Sequence, residues 1–104
     1  MYEKYLKKEF RMTTEVKASH ILVETEAEAI SLKEEILSGT AFEDIAAEHS
    51  LCPSSANGGD LGFFGKGQMV GEFEEAAFDL NVGEISAPVR TNFGWHLILV
   101  TDKQ

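Results

Sequence analysis

The 104 residues, with 43% hydrophobic and 26% charged side chains, have the size and composition of one ordinary globular domain. A net charge of −9 argues against nucleic acid as the main partner, and a single cysteine excludes an internal disulfide. No run is apolar for long enough to span a membrane, and the charged opening MYEKYLKKEF lacks a signal-peptide core. A cytoplasmic protein without membrane contact is the expectation, although a domain cut from a longer secreted protein would read the same way.

Residues 1–15 fit the domain poorly. Tyr2, Tyr5, Leu6 and Phe10 make a weak helical stripe that Thr13 and Thr14 break, so a frayed or weakly helical extension is expected before a domain over residues 16–104. The extension also concentrates positive charge, in Lys4, Lys7, Lys8 and Arg11, whereas the remainder is strongly acidic. Lys17 to Val23 is apolar on both parities at its end, which predicts a strand covered on both faces. Thr25 with Glu28 is a capping box, and the helix it opens carries Ala29, Ile30, Leu32, Ile36 and Leu37 on a broad stripe before Ser38-Gly39 stops it. Thr40 with Glu43 repeats the device for a second helix, whose stripe holds Phe42, Ile45, Ala46 and His49. His49 is therefore expected to pack against the domain rather than to bind a ligand.

The stretch from Cys52 to Phe73 is too glycine-rich for a helix and too apolar for a simple solvent loop. Its glycines permit tight bends, while Leu61, Phe63, Phe64, Met69 and Phe73 call for burial or an apolar guest. A short strand near Leu61 to Phe64 and one polar handle, Cys52, complete a candidate cleft. A helix is predicted from about Glu72 to Leu80, on the spacing of Phe73, Ala76, Ala77 and Leu80. Ile85, Ala87 and Val89 then alternate with polar residues, a half-exposed strand that Pro88 puts at a sheet edge. After a turn at Thr91-Asn92-Phe93-Gly94, Trp95 to Thr101 is apolar on both parities and reads as a central strand. The pattern is that of an α+β domain whose two most buried strands each carry a histidine, His20 and His96.

Little conventional chemistry fits these residues. His20, Cys52 and His96 lack metal-ligand spacing and a fourth ligand, so no metal or other cofactor is expected. GFFGKGQ lacks the leading glycine of a phosphate loop, and Gly67 stands where Ser or Thr would hold magnesium. Cysteine with histidine suggests a thiol nucleophile, but a small inert thiol is equally ordinary, and no oxyanion hole is marked.

The motifs SHILV, GGDLGFFGKGQMVGEFEEAAF, VGEIS and PVRTNFGWHLILV, in this order between about Lys17 and Thr101, resemble the parvulin-type peptidyl-prolyl cis/trans isomerases. The resemblance implies a four-stranded antiparallel sheet with its first and last strands central, wrapped by about four helices. It implies a site in which His20 and His96 are the paired histidines, Thr91 supports them and Cys52 fills a Cys-or-Asp position. Leu61, Met69 and Phe73 correspond to the proline pocket, with Gln68 and Phe93 beside it. The implied activity is non-covalent rotation of X-Pro bonds in peptides and in unfolded or nascent proteins, by a monomer. The competing expectation is a binding module or chaperone with the same groove and little turnover. The basic loop that grips phosphate in phospho-directed members is absent, since Val23 leads directly into Glu24-Thr25-Glu26-Ala27-Glu28.

Overall fold

The computed structural model describes residues 13–104. Strand β1 (Glu15–Val23) leads into helices α1 (Glu26–Leu37) and α2 (Phe42–His49), a single 3-10 turn (Pro53–Asn57) and strand β2 (Asp60–Gly65). Helix α3 (Gly71–Asp79), the short strand β3 (Val89–Thr91) and the long strand β4 (Gly94–Lys103) follow. The strands form one antiparallel sheet in the order β2-β1-β4-β3, so the first and last strands are central, as the resemblance implies. Three α-helices cover it among the described residues, where about four helices were expected.

Both faces of the sheet are covered, which is why β1 and β4 are apolar on both parities. On one face, Ile21, Val23 and Leu97 pack with Ala29, Leu32, Phe42, Ile45 and Ala46 from α1 and α2. On the other, Val16, Ala18, Phe64, Ile98 and Val100 pack with Phe73, Ala77 and Leu80 from α3 and its end. Ile21, Leu97 and Ile98 are fully buried, each worth about 1.5–3 kcal/mol in area removed from water.

Several local expectations need correction. The Thr25 cap forms, its hydroxyl accepting the Glu28 N–H at 3.1 Å. Thr40 does not cap α2; Ala41 occupies the cap position and makes no side-chain bond. Of the broad stripe on α1, Ala29 and Leu32 are buried, but Ile30 and Leu37 are exposed. Helical rotation of about 100° per residue sets these two at the margin of the stripe, beyond the narrow contact with the sheet. His49 is exposed on the last turn of α2, 3.6 Å from Glu48, and does not pack. The strand expected from Ile85 is broken: Ile85 makes one isolated bridge to Leu99, and regular pairing resumes only at Val89, beyond Pro88. Between them Ser86 is buried, donating its N–H to the Ile98 carbonyl and accepting the Ile98 N–H on its hydroxyl. The edge position of β3 agrees with the proline.

At the start of the described chain, Thr14 donates its N–H and its hydroxyl to the Gln104 carbonyl, and Glu15 is already the first residue of β1. The extension expected over residues 1–15 otherwise lies outside the described residues.

Gly59 is constrained more tightly than the other glycines. Its carbonyl accepts the His20 N–H at 2.9 Å, and its own φ is +88°. A Cβ there would stand 2.4 Å from the His20 carbonyl oxygen and 3.2 Å from the Ala46 side chain. Gly67 has φ +90° with nothing within 4 Å of an added Cβ. Gly59→Ala should therefore cost about 2–4 kcal/mol, and Gly67→Ala only the left-handed backbone penalty of roughly 1–2 kcal/mol. Urea unfolding of the two variants checks this, and equal losses would mean that the approach of Gly59 to β1 is not what fixes its identity.

Candidate functional site

β1 and β4 pair with His20 opposite Ile98 and Leu22 opposite His96. The two histidines are thus diagonal neighbours on one face, within reach of each other's side chains. Their rings lie 17° from parallel with centroids 5.2 Å apart, and their Nδ1 atoms are 3.0 Å apart. Across the β3–β4 turn, the Thr91 hydroxyl lies 2.7 Å from His96 Nε2 and accepts the Phe93 N–H at 3.1 Å. Only one proton can lie between two Nδ1 atoms. With the Thr91 hydroxyl donating to His96 Nε2, His96 donates from Nδ1 to His20 Nδ1, and His20 carries its proton on Nε2. That arrangement uses every donor in the chain but the last: His20 Nε2 is buried and has no partner among the described residues.

Helix α3 explains why this face opens into a groove. Its first turn sets Phe73 nearly perpendicular to both histidine rings, at centroid distances of 5.4 Å to His20 and 5.2 Å to His96. From there α3 runs over Ala18, Val16 and Val100. The next residue of β1 on the same face, Leu22, is only half-buried. The uncovered part is a groove of about 540 Å³. Its walls include His20, Cys52, Leu61, Gln68, Met69, Phe73, Phe93 and His96, all read from the sequence, whereas Thr91 stands behind His96 rather than in the wall. Leu22, Leu51, Pro53 and Val70 also line it and escaped the sequence reading. Among the described residues, none that lines it is an acid, lysine or arginine.

The loops that carry the walls are tied down. The Ser50 hydroxyl accepts the N–H of Leu22 at 3.0 Å and of Cys52 at 3.4 Å, and Leu51 N–H donates to the Leu22 carbonyl at 2.8 Å. These bonds stitch the segment after α2 onto β1. Pro53 then starts the 3-10 turn, where a missing N–H costs nothing. Beyond β2, Gln68 Oε1 accepts the Gly65 N–H and Glu74 Oε1 accepts the Gly67 N–H, each at 2.7 Å, which fixes the turn that delivers Met69. Cys52 is half-buried, and among the described residues no histidine or carboxylate hydrogen-bonds its thiol. The described residues contain no cluster of three His, Cys, Asp or Glu suited to a metal ion.

Both histidines are almost wholly inaccessible, at 5% for His20 and 4% for His96. Burial pushes the pKa of His20 down from 6.5 to about 4, with the neighbouring His96 adding to the effect, and burial lowers His96 as well. The pair is therefore neutral at pH 7.

Comparison with known proteins agrees with this architecture. The family model described as the PPIC-type PPIASE domain matches residues 2–104. Among curated proteins, foldase protein PrsA of Halalkalibacterium halodurans is 54% identical over 91 residues, covering 86% of this chain and 27% of that protein. Among solved structures, the peptidylprolyl isomerase PrsA from Bacillus anthracis superposes with a TM-score of 0.87 at 44% identity, covering 98% of this chain and 46% of that one. NmPin, the parvulin of Nitrosopumilus maritimus, gives a TM-score of 0.79 at 43% identity over 88% of this chain and 99% of its own. The chain spans about a third of the length of the curated relatives it matches.

The neutral pair makes stability depend on pH with a definite sign. The folded pKa values lie below the ordinary 6.5, so the unfolded chain binds more protons between about pH 6.5 and 4. The contribution of His20 is complete well above pH 6.5 and should fall by roughly 3 kcal/mol as pH drops toward 4, with His96 acting in the same direction. Urea midpoints measured across that range should show the slope in the native protein, and a marked flattening in His20→Gln. An identical slope in both would place the titration elsewhere.

Proposed function

This chain belongs to the PPIC-type peptidyl-prolyl cis/trans isomerase family, the parvulins, and from that premise we propose that its groove accelerates X-Pro rotation without a covalent intermediate. The observation that carries the mechanism is the floor of the groove, a neutral, hydrogen-bonded histidine pair framed by apolar walls. Rotation about an X-Pro bond must break amide resonance, over a barrier of roughly 20 kcal/mol. Water hydrogen-bonds the carbonyl oxygen and so favours the planar, charge-separated form. In the groove Leu61, Met69 and Phe73 hold the pyrrolidine ring and exclude that water, which favours the twisted form with its pyramidal nitrogen. Cys52, His20 and His96 supply a polar surface near the moving carbonyl, and Thr91 holds the tautomer of His96. Gln68 and Phe93 border the substrate. The clients on this reading are proline-containing segments of unfolded or nascent proteins, and a groove built within one chain supports action as a monomer.

A thiol nucleophile would need a base to ionise it, and Cys52 has no such partner among the described residues. Cys52→Asp should therefore keep kcat/KM on an X-Pro peptide within about tenfold of the native value, measured by prolyl-isomer exchange. A fall to the uncatalysed rate in a folded variant, or a trapped thioester, would overturn the non-covalent mechanism. Met69→Ala should lower kcat/KM more than Cys52→Asp. It is a cleaner test of the ring pocket than Phe73→Ala, which also empties the core at about 3–5 kcal/mol. Native protein that binds the peptide without accelerating exchange would instead support a pure binding module.

The uncharged character of the described groove walls bears on phosphate. With no lysine or arginine in its walls among the described residues, the groove offers no charge-assisted grip on a dianion. Phosphorylating a serine before proline should lower kcat/KM or leave it unchanged, and a clear preference for the phosphopeptide would refute this.

A further inference from the structure

The three residues that hold the pyrrolidine ring come from three separate segments: Leu61 from β2, Met69 from the turn after it and Phe73 from α3. Regular structure holds Leu61 and Phe73. It does not hold Met69, because residues 66–70 belong to no helix or strand. Packing does not hold the tip of that turn either, since nothing lies within 4 Å of a Cβ added at Gly67. Two side-chain oxygens do the holding. Gln68 Oε1 accepts the Gly65 N–H and ties the turn to the end of β2. Glu74 Oε1 accepts the Gly67 N–H and ties it to α3.

Glu74 differs from the other acids of its helix. A carboxylate early in a helix ordinarily favours the positive end of the helix dipole, and exposed Glu72 and Glu75 call for no more than that. Glu74 is half-buried, and its hydrogen bond leaves the helix. Val70 at the cap position of α3 makes no side-chain bond, while the Glu74 carboxylate reaches seven residues back to the turn. Lys66, beside Gly67, is engaged elsewhere, with its Nζ 5.4 Å from the centroid of the Phe78 ring. An ionised acceptor makes the Glu74 bond the stronger of the two that hold the turn. Phe73 and Glu74 are neighbours in α3, so one is a wall of the ring pocket and the next holds the segment that carries another wall.

We propose that Glu74 is a positioning residue for the isomerase reaction. Its carboxylate holds the β2–α3 turn so that Met69 stands at the spacing from Leu61 and Phe73 that fits a pyrrolidine ring. This rests on the isomerase reading of the groove. Glu74 does not line the groove and acts through Met69.

The test is a double-mutant cycle on kcat/KM for one X-Pro peptide, with Glu74→Ala and Glu74→Gln each made in the native protein and in Met69→Ala. Glu74→Ala should lower kcat/KM by about fivefold in the native background, and by less than about twofold in Met69→Ala, where the side chain it places is gone. Glu74→Gln keeps an oxygen for the Gly67 N–H and should stay within about twofold of the native value. A loss that persists in Met69→Ala, no loss at all, or a Gln variant as poor as the Ala variant overturns the proposal. Peptide Kd from NMR titration replaces kcat/KM where a variant turns over too slowly to measure. Failure of the isomerase reading shows separately, as native protein that does not accelerate exchange. The Met69 methyl resonance, identified by its loss in Met69→Ala, then decides the positioning without substrate. It should move in Glu74→Ala and keep its native value in Glu74→Gln, and an unchanged resonance in Glu74→Ala overturns the proposal.

Discussion

The antiparallel pairing of β1 with β4 is the constraint from which the site follows. Its register sets His20 opposite Ile98 and His96 opposite Leu22, so the rings meet across a diagonal. A slip of one residue would turn one histidine to the opposite face, among Ile21, Val23 and Leu97. That slip would also carry the apolar set that α1 and α2 cover to the face shared by α3 and the groove. The hydrophobic pattern that secures the core therefore secures the histidine pair too. Gly59 reinforces the register from the other side, by bonding the His20 backbone at a distance no side chain would tolerate.

Unequal covering of the two faces makes a groove out of this sheet. α1 and α2 together shield one face, while the nine-residue α3 shields only part of the other. Phe73 ends the covered part and belongs to both regions, as a core residue at 3% exposure and as a wall of the groove. The core and the groove consequently share a boundary, and the stability of one sets the shape of the other.

Much of this was legible in the chain, and the failures have a common cause. β1 and β4 were readable as central because runs apolar on both parities fit only a sheet covered twice. Their histidines followed from the same runs. His49 was misread because helical spacing gives an angle around the axis but not a depth along it. It shares its stripe with Phe42 and Ile45, yet it is the last residue of α2 and is exposed. Thr40 had the composition of a cap, but α2 starts two residues later, at Phe42. Ser50 and Leu51 carried no periodic signal at all. Their roles depend on pairing with Leu22, which is 28 residues from Ser50 in sequence. The broken strand at Ser86 was hidden for a similar reason, since its hydroxyl substitutes for a ladder bond only once Ile98 is beside it.

The rim and the floor of the groove belong to one chain of hydrogen bonds. It runs from the Phe93 N–H to the Thr91 hydroxyl, then through His96 to His20. The links are coupled: where the Thr91 hydroxyl donates to His96 Nε2, the proton positions along the buried pair follow, so the β3–β4 turn at the groove mouth is joined to the pair. Gly94 permits that turn: its φ is +138°, and a Cβ there would lie 2.6 Å from the Val23 carbonyl. Low pKa values keep an added proton out of the chain at neutral pH, so it carries no net charge. Such a floor polarises little and hydrates nothing. It is suited to a reaction whose barrier falls when the substrate carbonyl loses its water, and ill suited to one that needs a charged acid, a thiolate or a metal.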